Sequence, residues 1–167
     1  MKEYKIPAYD EDRGTGIVRH IMGRTGVHSG EIMVCIVTAV PMVPHMKELV
    51  QMLHKDVPGL TSVIQNINSR HTNVILGNKT KVIYGSPTIS DSIGDLSFRI
   101  SAQSFFQVNS EQAQKLYDTA LSYADLKGNE TVVDVYCGTG TITLLFSQKS
   151  QVLPTALKSS NRPFATP

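Results

Sequence analysis

The residues with the most chemical content lie late in the chain, in the run Asp134, Val135, Tyr136, Cys137, Gly138, Thr139, Gly140, Thr141. An acid closes a short β-rich run, residues 131–135, and Gly138 and Gly140 then precede an apolar stretch over residues 142–146. Glycines at the end of a strand let the backbone reverse sharply and come close to a ligand where a Cβ would clash. The first N–H groups of a following helix and the Asp134 carboxylate would meet a ligand that carries hydroxyl or cationic groups. Taken alone, the same turn serves equally well as a tight strand-to-helix reversal with no ligand.

The elements around the turn narrow the choice. Asn109 is placed to cap a helix, with Gln112 at the third position of a box-like arrangement. Ala113, Leu116, Tyr117, Ala120, Leu121 and Ala124 form its apolar stripe, and Gly128 is the expected stop. Helix, strand, glycine turn and helix in that order is how a doubly wound domain begins. Upstream, residues 16–39 read as a β-hairpin whose second strand is apolar on both faces. Met46, Leu49, Val50 and Leu53 mark a helix that ends at Val57, Pro58 and Gly59, and residues 60–66 return as a strand. Residues 73–76 and 81–84 flank Gly77 and Asn78 as a compact hairpin signal, and Leu96, Phe98 and Ile100 alternate as in a half-buried strand.

Bulk properties exclude more than they assign. A formal charge of +2 is too small to imply nucleic-acid binding. The two cysteines, Cys35 and Cys137, lack the spacing of a zinc or iron–sulfur site and read as reduced thiols rather than a disulfide. No apolar run approaches the roughly 20 residues of a membrane helix, and no secretory signal is apparent, so a cytoplasmic, non-membrane protein is expected. Arg19, His20, Arg24, Arg70, His71, Lys79 and Lys81 could face RNA or simply be solvated surface.

The glycine turn, with Ser104, Phe105, Phe106, Gln107, Val108 and Asn109 one helix before it, resembles the RNA uracil-C5 methyltransferases, which make 5-methyluridine in transfer and ribosomal RNA. Residues 16–20, 30–34, 65–68 and 72–77 fit the same family and look closest to its bacterial 23S ribosomal RNA members. The resemblance runs from about Tyr9 to Gln148. It implies S-adenosyl-L-methionine as cofactor, with Gln107, Tyr136 and Thr141 as contacts, Asp134 at the strand end, and Gly138 and Gly140 permitting close approach. It places Phe105 near the target base, where stacking could hold a flipped uracil; packing in a core is the other use of Phe105 and Phe106.

The family's chemistry needs a thiolate that adds to uracil C6 so that C5 becomes nucleophilic, and a base that later removes the C5 proton. In the family the nucleophile follows a Pro-Pro motif. No such motif occurs here, and Cys137, inside the cofactor turn, reads as a packing residue. None of the residues after Asp134 is acidic, so the ribose-gripping acid of a second strand is missing as well. No catalytic residue is therefore assigned, the cofactor site is expected to be partial, and no metal or iron–sulfur cluster is expected.

These readings give an α/β protein: an accessory, RNA-facing domain over residues 1–98, then the truncated start of a Rossmann-like class I methyltransferase domain over 99–148. Residues 149–167, broken by Pro154, Pro163 and Pro167, are expected to be an aberrant, disordered tail left by a frameshift or truncation near Lys149. The expected partner is RNA, ribosomal ahead of transfer, with no membrane and no obligate protein partner. The chain alone is expected to be inactive. The competing reading is a stand-alone RNA-binding α/β module with a vestigial cofactor turn.

Overall fold

The computed structural model describes residues 1–149 and 155–156, and the chain is mixed α/β. It divides into two compact units, one of Met1–Ser92 with Phe98–Gln103, the other of Ile93–Ser97 with Ser104–Pro167. Most of the expected disordered tail, residues 150–154 and 157–167, lies outside the described residues.

The first unit is built on four strands, β1 (Val18–Thr25), β2 (Ile32–Thr38), β3 (Leu60–Ile67) and β4 (Lys79–Gly85), in the order β1-β2-β3-β4. β1 and β2 are antiparallel, as the 16–39 hairpin pattern predicts. β2 and β3 are parallel, because helix α1 (Met46–Asp56) carries the chain back between them. The predicted stripe of α1 is its buried face. Leu49 and Val50 are buried against Val34, Ile36 and Val63, with Met46 and Leu53 packed at the margin. Each of these aliphatic side chains contributes roughly 1.5–3 kcal/mol on full burial. The opposite face of β2, Met33, Cys35 and Val37, is equally closed to solvent, as an apolar strand on both faces requires.

β4 pairs antiparallel with β3, not with residues 73–76, so the hairpin expected around Gly77 and Asn78 does not form. Side chains of β3 and its continuation occupy that backbone instead. Asn68 Nδ2 donates to the carbonyls of Val74 (2.7 Å) and Ile75 (3.1 Å). The Gly77 N–H donates to Asn66 Oδ1 at 2.7 Å, and Asn66 Nδ2 donates back to the Gly77 carbonyl at 2.9 Å. Gly77 has to be glycine, since a Cβ there would sit 2.0 Å from the Ile67 carbonyl oxygen.

Strands β5 (Thr88–Ile93) and β6 (Leu96–Ser101) form a two-stranded sheet. The Leu96, Phe98, Ile100 alternation is realised in β6, with Phe98 and Ile100 buried. The β1–β2 turn is tied to β5 through polar contacts. The His28 N–H donates to Asp91 Oδ1 at 2.9 Å, the Ser29 hydroxyl to the Ser90 carbonyl at 2.6 Å, and the Ser90 N–H to Glu31 Oε2 at 2.6 Å.

In the second unit, helix α2 (Ser110–Ala124) starts where expected: Asn109 caps it, its side chain accepting from the Gln112 N–H at 3.0 Å. It stops earlier than Gly128 predicts, because Asp125 adopts the left-handed conformation at φ 47°. Of the expected stripe, Ala113 and Tyr117 are buried while Leu116 stays 62% exposed. β7 (Val133–Asp134), helix α3 (Thr141–Ser147) and β8 (Thr155–Ala156) follow, with β8 parallel to β7. Strand, helix, parallel strand is the opening of a doubly wound sheet.

Candidate functional site

The second unit holds a cleft of about 180 Å³ at the carboxyl end of β7, walled on one side by Phe105, Phe106, Gln107 and Tyr117 and on the other by the turn residues Asp134, Tyr136, Cys137, Gly138, Thr139, Thr141 and Ile142. Six of the seven residues singled out from the sequence line it: Phe105, Gln107, Asp134, Tyr136, Gly138 and Thr141. Gly140 stands behind the wall, buried, at φ 83°, and is the residue from which α3 departs. Its N–H donates to the Cys137 carbonyl at 2.6 Å, closing the turn. Gly138 is also left-handed, at φ 54°, so both glycines are required by the backbone path itself.

Asp134 organises the turn before any ligand is considered. Its Oδ1 accepts from the Tyr136 N–H at 3.1 Å, and its Oδ2 accepts from the Thr143 hydroxyl at 2.5 Å. These bonds fix the carboxylate between strand and helix, with lone pairs left on both oxygens. Asp134 is the single carboxylate of the lining, which contains no lysine or arginine. The cleft is accordingly suited to cationic or hydroxyl-bearing groups. Thr139 and Thr141 add a hydroxyl pair 3.1 Å apart.

Exposure separates the aromatic residues. Phe105 is 73% exposed and Tyr136 93% exposed, so neither is a core residue of the described chain, and both offer ring faces for stacking. Tyr117 is the reverse: at 5% exposure it forms the cleft's closed side. From the sequence, Tyr117 is marked only as part of a helix stripe, and Thr143 is not singled out. Threonine within an apolar run was the one available signal that a hydroxyl faces the strand end.

Arg19, read from the sequence as RNA-facing or solvated surface, is an internal brace. Its side chain is 1% exposed, bound to Glu11 at 2.9 Å and lying 4.8 Å from the Tyr9 ring centroid. It donates to the carbonyls of Asn68 (3.1 Å), Arg70 (2.6 Å) and Thr72 (3.1 Å). A guanidinium with several donors in a rigid fork suits this task, and nothing of it remains for solvent.

The fold has a close counterpart among solved structures. The Pyrococcus abyssi tRNA (uracil-54, C5)-methyltransferase, solved with S-adenosyl-L-homocysteine, superposes with a TM-score of 0.70 over 89% of this chain and 35% of its own, at 25% identity. The fold is thus the α/β fold of part of that methyltransferase. Among curated sequences, uncharacterized RNA methyltransferases of Halalkalibacterium halodurans and Clostridium acetobutylicum are each 46% identical over 96% of this chain. One from Caldanaerobacter subterraneus is 49% identical over 90%. No family model matches the chain. Over most of its own length the chain is thus similar to RNA methyltransferases. It spans about a third of the length of the curated relatives it matches, 36% of the first two and 33% of the third.

Proposed function

We propose that this chain supplies the cofactor side of an S-adenosyl-L-methionine-dependent methyltransferase acting on C5 of uridine in RNA, ribosomal RNA ahead of transfer RNA. The observation that carries the reading is the cleft in which Gln107, Asp134, Tyr136, Gly138 and Thr141 converge around a single carboxylate. S-adenosyl-L-methionine, a methyl donor with cationic groups and a ribose diol, has the chemistry that such a lining accepts. Asp134 and the two threonine hydroxyls would take its polar groups, Tyr136 would cover a face, and Gly138 would leave room for the backbone to approach. Phe105, exposed at the same cleft, would stack on the target base.

At about 180 Å³ the cleft is smaller than the roughly 300–1,000 Å³ of ordinary small-molecule sites, which supports a partial site. Neither cysteine offers the family's nucleophile: Cys35 is buried in the first unit and Cys137 belongs to the turn.

Calorimetric titration with S-adenosyl-L-homocysteine tests the reading. Binding tighter than about 1 mM, weakened at least tenfold by Asp134→Ala, is expected; millimolar or absent binding sinks the cofactor site. The purified 167-residue chain is expected to transfer no methyl group from labelled S-adenosyl-L-methionine to uridine-containing RNA. A clear turnover signal would overturn the assignment of the cofactor side alone. The small cleft also favours a second reading, an RNA-binding module with a vestigial turn, which predicts RNA binding with no response to the cofactor.

A further inference from the structure

A larger groove, about 460 Å³, lies in the first unit, far along the chain from the glycine turn. It opens where the parallel strands β2 and β3 end, between Pro41 on one side and the segment from Ile67 through Lys79 on the other. In parallel α/β sheets this is the end at which ligands are taken. None of the residues lining it is acidic, and two, Arg70 and Lys79, are cations. Both are exposed, and among the described residues neither is ion-paired to a carboxylate. Pro41 and Ile67 supply apolar surface, and exposed Asn78 a polar edge.

The wall of this groove is held in place by groups that are themselves closed to solvent. Asn66 and Asn68 are 0% and 2% exposed, and they bind the backbone of residues 74, 75 and 77. Arg19 holds the carbonyls of residues 68, 70 and 72 from the other side. A surface loop ordinarily satisfies its backbone with water. This one is fixed by three buried polar side chains, so Arg70 and Lys79 project from a preorganised frame.

We propose that this groove binds the ribose-phosphate backbone of a single RNA strand, Arg70 and Lys79 taking phosphate oxygens and the surface of Pro41 and Ile67 lying against sugar or base. The inference rests on the RNA-methyltransferase reading and extends it to a second contact, separate from the cofactor cleft. Two unpaired cations in an acid-free groove complement a polyanion. The open form suits a strand that runs through, more than a small anion that needs to be enclosed.

The test uses the full chain, a fluorescent uridine-containing RNA 12-mer, and anisotropy measured across a salt series. Arg70→Gln with Lys79→Gln is expected to raise Kd about tenfold and to lower the salt slope by about 1.4, two phosphate contacts at roughly 0.7 each. A control with the same charge change at exposed Lys2 and Lys5 (Lys2→Gln with Lys5→Gln) is expected to leave both values near those of the unaltered chain. Uridine monophosphate, offered as competitor, is expected to displace the RNA only at concentrations hundreds of times higher. Equal losses in the two double variants, or no loss in the first, would overturn the proposal, as would failure of the chain to bind the 12-mer at low salt. Displacement by uridine monophosphate at matching concentration would reassign the groove to a free nucleotide. Polyglutamate binding as tightly as the RNA, and lost in the same variant, would reassign it to an acidic protein segment. S-adenosyl-L-homocysteine titrations of the same variants, expected unchanged, separate a failure here from a failure of the cofactor reading.

Discussion

At the scale of single residues, the cleft depends on how Asp134 is held. One carboxylate oxygen is fixed by a backbone N–H two residues on, the other by Thr143 across the start of α3. A hydrogen bond to a charged group is worth about 1.5–3 kcal/mol, and Thr143 is 5% exposed, so water does not readily replace its hydroxyl. Thr143→Val, which keeps the shape and removes the donor, is expected to weaken S-adenosyl-L-homocysteine binding roughly tenfold by calorimetry, with the secondary structure unchanged by circular dichroism. An unchanged Kd would mean that Asp134 is aimed without it. Local motifs carried most of this site: the acid and glycines form one contiguous run and Phe105 to Asn109 another, one helix apart, so their spacing is visible in one dimension. Thr143 and Tyr117 act across a turn or a helix packing, and Arg19 is hidden by its partners. Nothing local distinguishes an arginine that braces carbonyls from one that meets solvent.

At the scale of elements, periodicity predicted α1, β6 and α2, and runs of β-forming residues between turn signals predicted β1, β2 and β3. Residues 73–78 escaped such local signals. Their backbone partners are side chains of Asn66 and Asn68, so their conformation is decided by residues outside the segment. Asn66→Ala is the direct test. It removes the partner of the Gly77 N–H and a 3.3 Å contact to the Thr80 hydroxyl at a fully buried position, while the Gly77 carbonyl keeps its second donor, Gln103 Nε2 at 3.0 Å. Stranded backbone groups cost about 1–3 kcal/mol each. A loss of roughly 1–3 kcal/mol in urea unfolding is expected, together with faster amide exchange at Gly77. A loss below about 0.5 kcal/mol would show that the loop holds its path without Asn66.

At the scale of the whole molecule, the first unit carries a titrating group for each end of the pH range. Burial pushes the Cys35 thiol from its ordinary 9.0 to about 11, the Arg24 guanidinium opposing the rise in part. Burial also tends to raise the Asp91 carboxyl, but hydrogen bonds from the His28, Ser92 and Val27 N–H groups and the His28 ring outweigh it and hold the group below its ordinary 3.8. The signs differ in consequence. Asp91 stabilises the fold above its unfolded pKa, and that contribution is lost as pH falls through the lower folded value. Cys35 keeps its proton in the folded state while the unfolded chain releases it, so stability falls as pH rises from about 9 toward 11, by at most about 3 kcal/mol. The urea midpoint is therefore expected to form a plateau from about pH 5 to 8 that declines on both sides. Asp91→Asn should flatten the acid limb while lowering the plateau, since the amide cannot accept from all the same donors. Cys35→Ala should flatten the alkaline limb at a plateau cost of about 1 kcal/mol for the space it leaves. Glu48 and Glu130, also held below their ordinary values by hydrogen bonds, add to the acid limb, but variants of Asp91 and Cys35 that shift the whole curve and keep both slopes would refute the assignment. Thiol titration adds an independent check: at pH 8 the folded chain is expected to expose only Cys137 to a disulfide reagent, because Cys35 is 0% exposed, and to yield both thiols once unfolded.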